Sequence, residues 1–260
     1  MAWLNLAVAP GTLHDQLPQR FVTEFTTLEQ NSFANLIPFD GDMIFHTGLS
    51  LTDDSFQLQL EQVNAFEIIK KLKIRRFSFD IGPCYRETQI YDKKYIGIGD
   101  RLSLKEIISL CEEKLEWFRK QIPATCELAV ENLNYYDTGA YEEVCEPGFY
   151  NEVCKTLGIK IVFDLAHALV SAWNLKVDKE TFLRGFDTAL ISELHLSKMA
   201  VSGNEAYDAH QAPDEVEFQT IEEMFCKNHT MRDVVIEYWE DVTSLVESYG
   251  AMETFFNEKD

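Results

Sequence analysis

Short apolar runs rich in branched and aromatic residues alternate with amphipathic stretches along most of this chain. That alternation leaves few folds open, because it calls for parallel strands joined by crossover helices. The strand candidates are Leu4–Ala9, Met43–Leu49, Arg76–Ile81, Cys126–Asn132, Ile159–Asp164, Ile191–Leu196 and Val234–Tyr238. Phe21–Leu28 is the candidate for an eighth strand, although its pattern suits a helix equally well. Apolar residues recur at helical spacing over Ser55–Leu72, Leu102–Lys120, Gly148–Leu157, Lys179–Gly185, Glu217–Cys226 and Thr243–Phe256. The chain has 260 residues, close to the roughly 250 of an α/β barrel. The expectation is a single (β/α)8 TIM-type barrel, one domain over residues 1–260, with no repeat or linker dividing it.

Two connections exceed the usual two to six residues or so of α/β loops. Pro83–Arg101 is rich in Tyr, Lys and Gly, and Ser197–Asp214 carries Gly203, Asn204, Asp208 and His210. Both follow expected strands and so belong on the face where barrel active sites assemble. Tyr91-Asp92-Lys93-Lys94-Tyr95 in the first is a place for an acidic group or C-terminal carboxylate of a peptide, or simply a solvated loop.

Charge narrows the function classes. Forty-four acids against twenty-three bases give −21 at pH 7, the wrong sign for a surface that neutralises phosphates, so no nucleic acid is expected as a partner. No apolar run is long enough for a membrane span, and the N-terminal residues lack a signal peptide's basic start, which points to a cytoplasmic protein. Cys84, Cys111, Cys126, Cys145, Cys154 and Cys226 include no CxxC pair, so a thiolate zinc site has no support. Cys126 and Cys154 read as core, whereas Cys84, after Gly82-Pro83, is the one thiol placed near a strand end.

Four of the six histidines fall at or just after expected strand ends or in the second long connection: His46, His167, His195 and His210. Acids share these places: Asp80 in Phe77-Ser78-Phe79-Asp80, Glu131 in Ala129-Val130-Glu131, Asp164, Asp208, and Glu237 in Val235-Ile236-Glu237. Each alone has a plain structural reading: a hydrogen-bonded histidine, Asp164 as a helix cap, Glu237 as an ion-pair partner. Together they do not, because a closed barrel aims its strand ends at one axis. Carboxylates at that density need cations. Imidazole and carboxylate donors without thiolate suit iron, manganese or zinc, and nine donors exceed the needs of one ion. The expected metal ligands are His46, Asp80, Glu131, Asp164, His167, His195, Asp208, His210 and Glu237, with Asp80, Glu131 and Asp208 as the catalytic members. His14 and His229 lie in polar turns and are expected to be solvated.

With these residues in place the chain resembles the multinuclear non-haem iron-dependent oxidative enzymes, a family that includes the catalytic subunit of methanobactin biosynthesis and is related to the xylose-isomerase-like barrels. The matching pieces are Phe45-His46-Thr47-Gly48, Val130-Glu131-Asn132, Phe163-Asp164-Leu165-Ala166-His167, Glu193-Leu194-His195-Leu196, Asp208-Ala209-His210 and Ile236-Glu237, within about Leu4 to Glu240. The resemblance implies two or three irons, use of O2, and rearrangement or cleavage at cysteine, in some members at other residues, of a ribosomally made peptide, often presented by a small partner protein. It also implies that Asn132 and Asn174 support the ligands, Asn174 being a helix cap in the alternative. Asp80 stands where many members carry His, and His167 where many carry Asn.

The competing reading is a sugar isomerase or epimerase of the same barrel superfamily, using Mn or Mg with Glu131 and Glu237 as paired acid and base. A zinc endonuclease conflicts with the net charge of −21, and a metal-binding scaffold without activity conflicts with the full ligand set.

Overall fold

The computed structural model describes residues 5–9, 13, 16, 27–30, 33, 36, 39–225 and 231–257. Eight parallel strands close into a barrel: β1 (Asn5–Ala9), β2 (Thr27–Gln30), β3 (Asp42–Ser50), β4 (Arg76–Asp80), β7 (Glu127–Glu131), β8 (Lys160–Asp164), β9 (Ile191–Leu196) and β12 (Asp233–Glu237). Neighbours run β1-β12-β9-β8-β7-β4-β3-β2 and back to β1. The helices are α1 (Phe56–Gln62), α2 (Ala65–Leu72), α3 (Leu104–Arg119), α4 (Pro147–Leu157), α5 (Leu165–Leu175), α6 (Lys179–Arg184), α7 (Glu215–Phe225) and α8 (Val242–Asn257). None of the described helices is long and apolar enough to cross a membrane. The barrel expected from the alternation is therefore present, with β3, β4, β7, β8, β9 and β12 within one residue of their expected bounds. Of the eighth candidate, only Thr27 and Leu28 lie among the described residues, and they open β2.

Three features depart from expectation. The helix over Ser55–Leu72 is two helices, because Asn64 adopts a left-handed backbone (φ 52°) that an asparagine tolerates and that ends regular helix. Helix α5 had no strong amphipathic signature, since it is apolar on most sides and largely buried. Its start is fixed by Asp164, whose Oδ1 accepts the His167 amide at 2.6 Å. Finally, neither long connection is a loop. Each folds into an antiparallel hairpin, β5 (Tyr85–Tyr91) with β6 (Lys94–Arg101), and β10 (Lys198–Ser202) with β11 (Glu205–Gln211). The first turns at Asp92 and Lys93, both left-handed (φ 48° and 61°), as a two-residue hairpin turn of matching twist requires.

Alternation along each strand divides two interiors. Phe45, Phe77 and Phe79 belong to the main apolar core, where Phe77 and Phe79 pack on Phe118 of α3 with ring centroids 5.2 and 5.0 Å away. The positions between them face the barrel axis: Arg76, Ser78 and Asp80 on β4, Glu193 and His195 on β9, Asp233 and Glu237 on β12. Only Ala7, Ala9, Ile44 and Val235 form a separate small apolar cluster in that lumen. Ala129 and Val162 also lie on inward positions, and charged or hydroxyl side chains fill much of what remains, where a barrel axis is ordinarily filled by branched side chains.

Candidate metal centre

The strands deliver their last inward residues to one level. Asp80 pairs in register with Glu131, and Asp164 with His195. Irregularities in the ladder then adjust the aim. Between β3 and β4 the register jumps from Thr47–Phe79 to Ser50–Asp80, so the chain bulges just past His46. On β11, Ala209 and His210 have no partner between Asp208 and Gln211, and His210 takes a left-handed backbone (φ 45°). The bulge turns Asp208 and His210 back toward the barrel mouth, where Asp208 Oδ1 accepts the His210 amide at 3.0 Å and Ser197 Oγ at 3.1 Å.

All nine residues singled out in the sequence meet here. His195 Nδ1 lies 2.6 Å from Glu131 Oε1 and 3.3 Å from Glu237 Oε1. His46 Nε2 is 3.5 Å from Glu131 Oε2, and His167 Nδ1 is 3.8 Å from the same oxygen. His167 Nε2 is 3.4 Å from Asp208 Oδ2, to which His210 Nε2 approaches at 3.0 Å. His210 Nδ1 is 4.0 Å from Glu237 Oε2. Ligand atoms of Glu131, Asp164, His195 and Glu237 all fall within 4.8 Å of one another, and so do those of His46, Asp80 and Glu131. Glu131 belongs to both sets.

Two imidazoles are oriented by their neighbours. The Ser78 hydroxyl donates to the Phe45 carbonyl at 3.4 Å and so accepts from His46 Nδ1 at 3.1 Å, leaving the lone pair on Nε2. His167 Nδ1 donates to the Asn132 carbonyl at 2.8 Å, again freeing Nε2. Asn132 also clasps the backbone of Asp164, donating to its carbonyl at 3.0 Å and accepting its amide at 2.8 Å.

The electrostatics are those of anions and imidazoles forced together without water. Burial pushes the Asp80 carboxyl up to about 8, with the Glu131 charge adding to it, and pushes Asp164 to about 7 against the opposing pull of His167. Burial likewise drives Glu237 well above the usual carboxylate range. Glu131 goes the other way, because His46, His195 and His167 surround it and outweigh its burial. Burial disfavours charge on His195 and His167, yet their carboxylate partners raise both well above the ordinary imidazole value. Burial lowers His46 and His210.

These donors fit a metal cluster on one structural criterion. Asp80 Oδ1, Glu131 Oε1, Asp164 Oδ2, His195 Nδ1, Asp208 Oδ2 and His210 Nδ1 are buried and make no hydrogen bond of acceptable geometry. Glu131 Oε1 and His195 Nδ1 are unpaired in this sense although 2.6 Å apart, since two lone pairs face each other unless a cation or proton lies between. Such atoms are costly in a dry interior. Among the described residues no Lys or Arg forms an ion pair with any of the nine.

Several residues had been placed differently or overlooked. Cys84 is buried, its thiol donates to the Ala140 carbonyl at 3.1 Å, and burial raises its pKa, so it is a structural thiol rather than a reactive one. Asn174 caps no helix. It stitches the second hairpin to the body, donating to the carbonyls of Tyr135 and Ala206 and accepting the Ala206 amide. Lys94 is not free for a substrate carboxylate, because it pairs with Glu205 of the other hairpin. His14, His229 and Cys226 lie outside the described residues. Glu29 and Glu193, both at the back of His195, were missed. Glu193 was detectable by its spacing of two from His195 on one strand.

Known proteins resemble this chain in two ways. Residues 104–254 match the model of a family described as RiPP precursor modification enzyme MbnB/TglH/ChrH. A UPF0276 protein of Vibrio vulnificus is 25% identical over 136 residues, 49% of this chain and 47% of the relative, so the match spans about half that relative's length. A UPF0276 protein of Psychromonas ingrahamii is 32% identical over 71 residues, 27% of this chain and 25% of its own. Among solved structures, a D-tagatose 3-epimerase-like protein superposes with a TM-score of 0.67 at 14% identity, covering 98% of this chain and 99% of that one. A 3-keto-D-glucoside 4-epimerase from E. coli does so at 0.64 and 12% identity, with 98% and 99% covered. At such identity the structural likeness speaks for the fold alone.

Proposed function

The chain belongs to the family of RiPP precursor modification enzymes matched by its residues 104–254, and from that premise we propose that it is a multinuclear iron-dependent enzyme that uses O2 to oxidise a residue, cysteine, of a ribosomally made peptide. The observation that carries the reading is the sharing of Glu131 between two ligand groups, Glu131/Asp164/His195/Glu237 and His46/Asp80/Glu131. One carboxylate serving both groups is the arrangement that holds two ions side by side, and His167, Asp208 and His210 extend it on a third flank. Imidazole and carboxylate donors suit iron, with manganese or zinc as the alternatives. Iron held there would supply a binding position for a thiolate and redox chemistry with O2.

The protein's own groups divide the remaining work. Glu131, Asp164, His195 and Glu237 are all buried and form the closed side of the site. His46 and Asp80 are half-buried and His210 more exposed, so substrate enters on their side. Asp80, beside Glu131 on the more accessible side of the site, is placed to take the proton of an arriving thiol. Asp208, between His167 and His210, is suited to hold and pass a proton at the opposite rim. Exposed Ile90, Tyr91 and Ile98 on one hairpin and Val201 and Tyr207 on the other offer apolar contacts to a peptide or to a small protein presenting it.

The test is to load the protein with Fe(II) under anaerobic conditions, count metal, and follow the mass of Cys-containing precursor peptides with and without O2. At least two irons per chain and an O2-dependent mass change are expected. An equal rate under strict anaerobiosis would defeat the oxidative reading. The second reading, a metal-dependent epimerase of a free sugar, draws support from Glu131 and Glu237 flanking the same His195 nitrogen. Turnover of a free ketose by the Mn(II) form would establish it instead.

A further inference from the structure

The two nitrogens of His195 face different chemistries. Nδ1 looks up at Glu131 and Glu237. Nε2 looks down at Glu29 Oε2 (2.9 Å) and Glu193 Oε1 (3.1 Å), neither of which has a place in the reading above. All three are essentially inaccessible: His195 is 0% exposed, Glu193 1% and Glu29 2%. The ring stands edge-on to His46, centroids 5.5 Å apart and planes at 90°.

Glu29, Glu193 and His195 bring ligand atoms within 4.8 Å of one another, so they invite reading as one more ion site. The surroundings decide against it. Glu193 Oε2 receives Arg76 Nη1 at 2.9 Å, and the same nitrogen reaches Asp233 Oδ2 at 2.5 Å. A guanidinium is always charged and already supplies the cation that this end of the lumen needs. A divalent ion beside it would be repelled. What the two side chains offer instead is a pair of oxygens within hydrogen-bond distance of His195 Nε2, which can donate to them.

We infer that Glu29 and Glu193, the latter anchored by Arg76, are positioning residues that hold the proton on His195 Nε2 and so present Nδ1 as the metal-binding nitrogen. A carboxylate behind a ligating imidazole fixes its tautomer, stops the ring turning and raises its basicity. Here two carboxylates share the task, and Arg76 prevents Glu193 from turning upward to compete for the ion. The inference rests on the metal-binding part of the proposed function and is independent of the substrate.

Co(II) titration of the metal-free full-length chain, followed by its d–d absorption, tests this directly. Wild type is expected to bind Co(II). Glu29→Leu is expected to bind it about 10- to 100-fold more weakly with altered band positions. Its circular dichroism and metal-free thermal midpoint should be retained. Glu29→Gln keeps an acceptor for Nε2–H and should recover most of the affinity. Glu29→Leu binding within twofold of wild type with unchanged bands would overturn the inference, as would equal losses in the Leu and Gln variants. Should the leucine variant not fold, Glu29→Ala takes its place against Glu29→Gln: weaker binding with shifted bands in the alanine variant alone supports the inference, and alanine binding within twofold of wild type with unchanged bands overturns it. Failure of wild type to bind Co(II) would be a different result, defeating the metal reading itself.

Discussion

The lower and upper ends of the barrel lumen are equally buried and equally rich in charge, yet they are neutralised by different means. At the lower end Arg76 Nε meets Glu127 at 2.7 Å and its Nη1 meets Glu193 and Asp233, while Arg75 forks onto Asp233 at 2.8 and 2.9 Å. Cations attached to the chain pair with Glu127, Glu193 and Asp233 there. At the upper end carboxylates face imidazoles, and among the described residues no Lys or Arg ion-pairs with them. Buried charge alone therefore does not mark a functional site. The cation balance does, and it separates a brace from a receptacle within one lumen.

Removing the brace should have the largest effect. Arg76→Met leaves Glu193 buried without its guanidinium and Asp233 with Arg75 alone, and breaking a buried pair in this way costs about 3–5 kcal/mol. Urea unfolding of the metal-free protein measures it, and a loss under about 1 kcal/mol would erase the distinction between the two ends.

The receptacle should respond to metal instead. At a free metal concentration about 100 times Kd, loading should stabilise the fold by about 2.7 kcal/mol. Glu237→Gln should remove most of that gain. In the metal-free protein it should change stability by no more than about 1 kcal/mol, because burial already favours the neutral carboxyl there. Thermal unfolding with and without Mn(II) separates the two terms, and a large metal-free loss would make Glu237 a structural residue.

A pH series sharpens the same contrast. Glu29 and Asp80 are raised from 4.5 and 3.8 to about 8, and Asp164 from 3.8 to about 7, so the folded metal-free chain holds protons that the unfolded chain has released. Their contribution is complete below pH 4 and is lost as pH rises through 7 to 8. The raised His195 and His167 act in the same direction. The lowered Glu131 and Glu193 matter only below their ordinary value of 4.5. The metal-free thermal midpoint should fall between pH 6 and pH 8, roughly the window of these titrations. Metal should offset the fall most at the upper limit, where it competes with fewest protons. A metal-free midpoint that rises across this range would contradict the assignment.

The smallest effect expected is that of Ser78→Ala. It removes the acceptor for His46 Nδ1 and should weaken metal binding up to about tenfold, near the lower bound for lost ligand support, without altering the metal-free fold.

Much of this arrangement was legible in the residue order, and the parts that were not have physical causes. Strand-end histidines and acids stand out against apolar runs, which is why all nine residues that converge at the mouth could be named beforehand. The lumen below them was harder to read. Arg76, Glu193 and Asp233 sit at the starts or middles of strands, where a charge resembles an exposed strand edge. Only their even spacing from Asp80, His195 and Glu237 shows that they share an inward face. Glu29 lies one residue beyond the eighth strand candidate, outside every run that the pattern singles out. The hairpins resemble loops in sequence because their strands are half-exposed and carry polar residues at many positions.

The second hairpin has one more consequence. Asp208 and His210 are held on a short excursion, bulged out of register and tethered by Asn174, outside the ladder that closes the barrel. Two donors thus reside in a cassette that can be lengthened, shortened or exchanged with no barrel strand changing its partner. On the proposed reading, chains with the same eight strands could differ in ion number or reaction through a few residues here. The folding problem and the chemical problem are, to that extent, separately inherited.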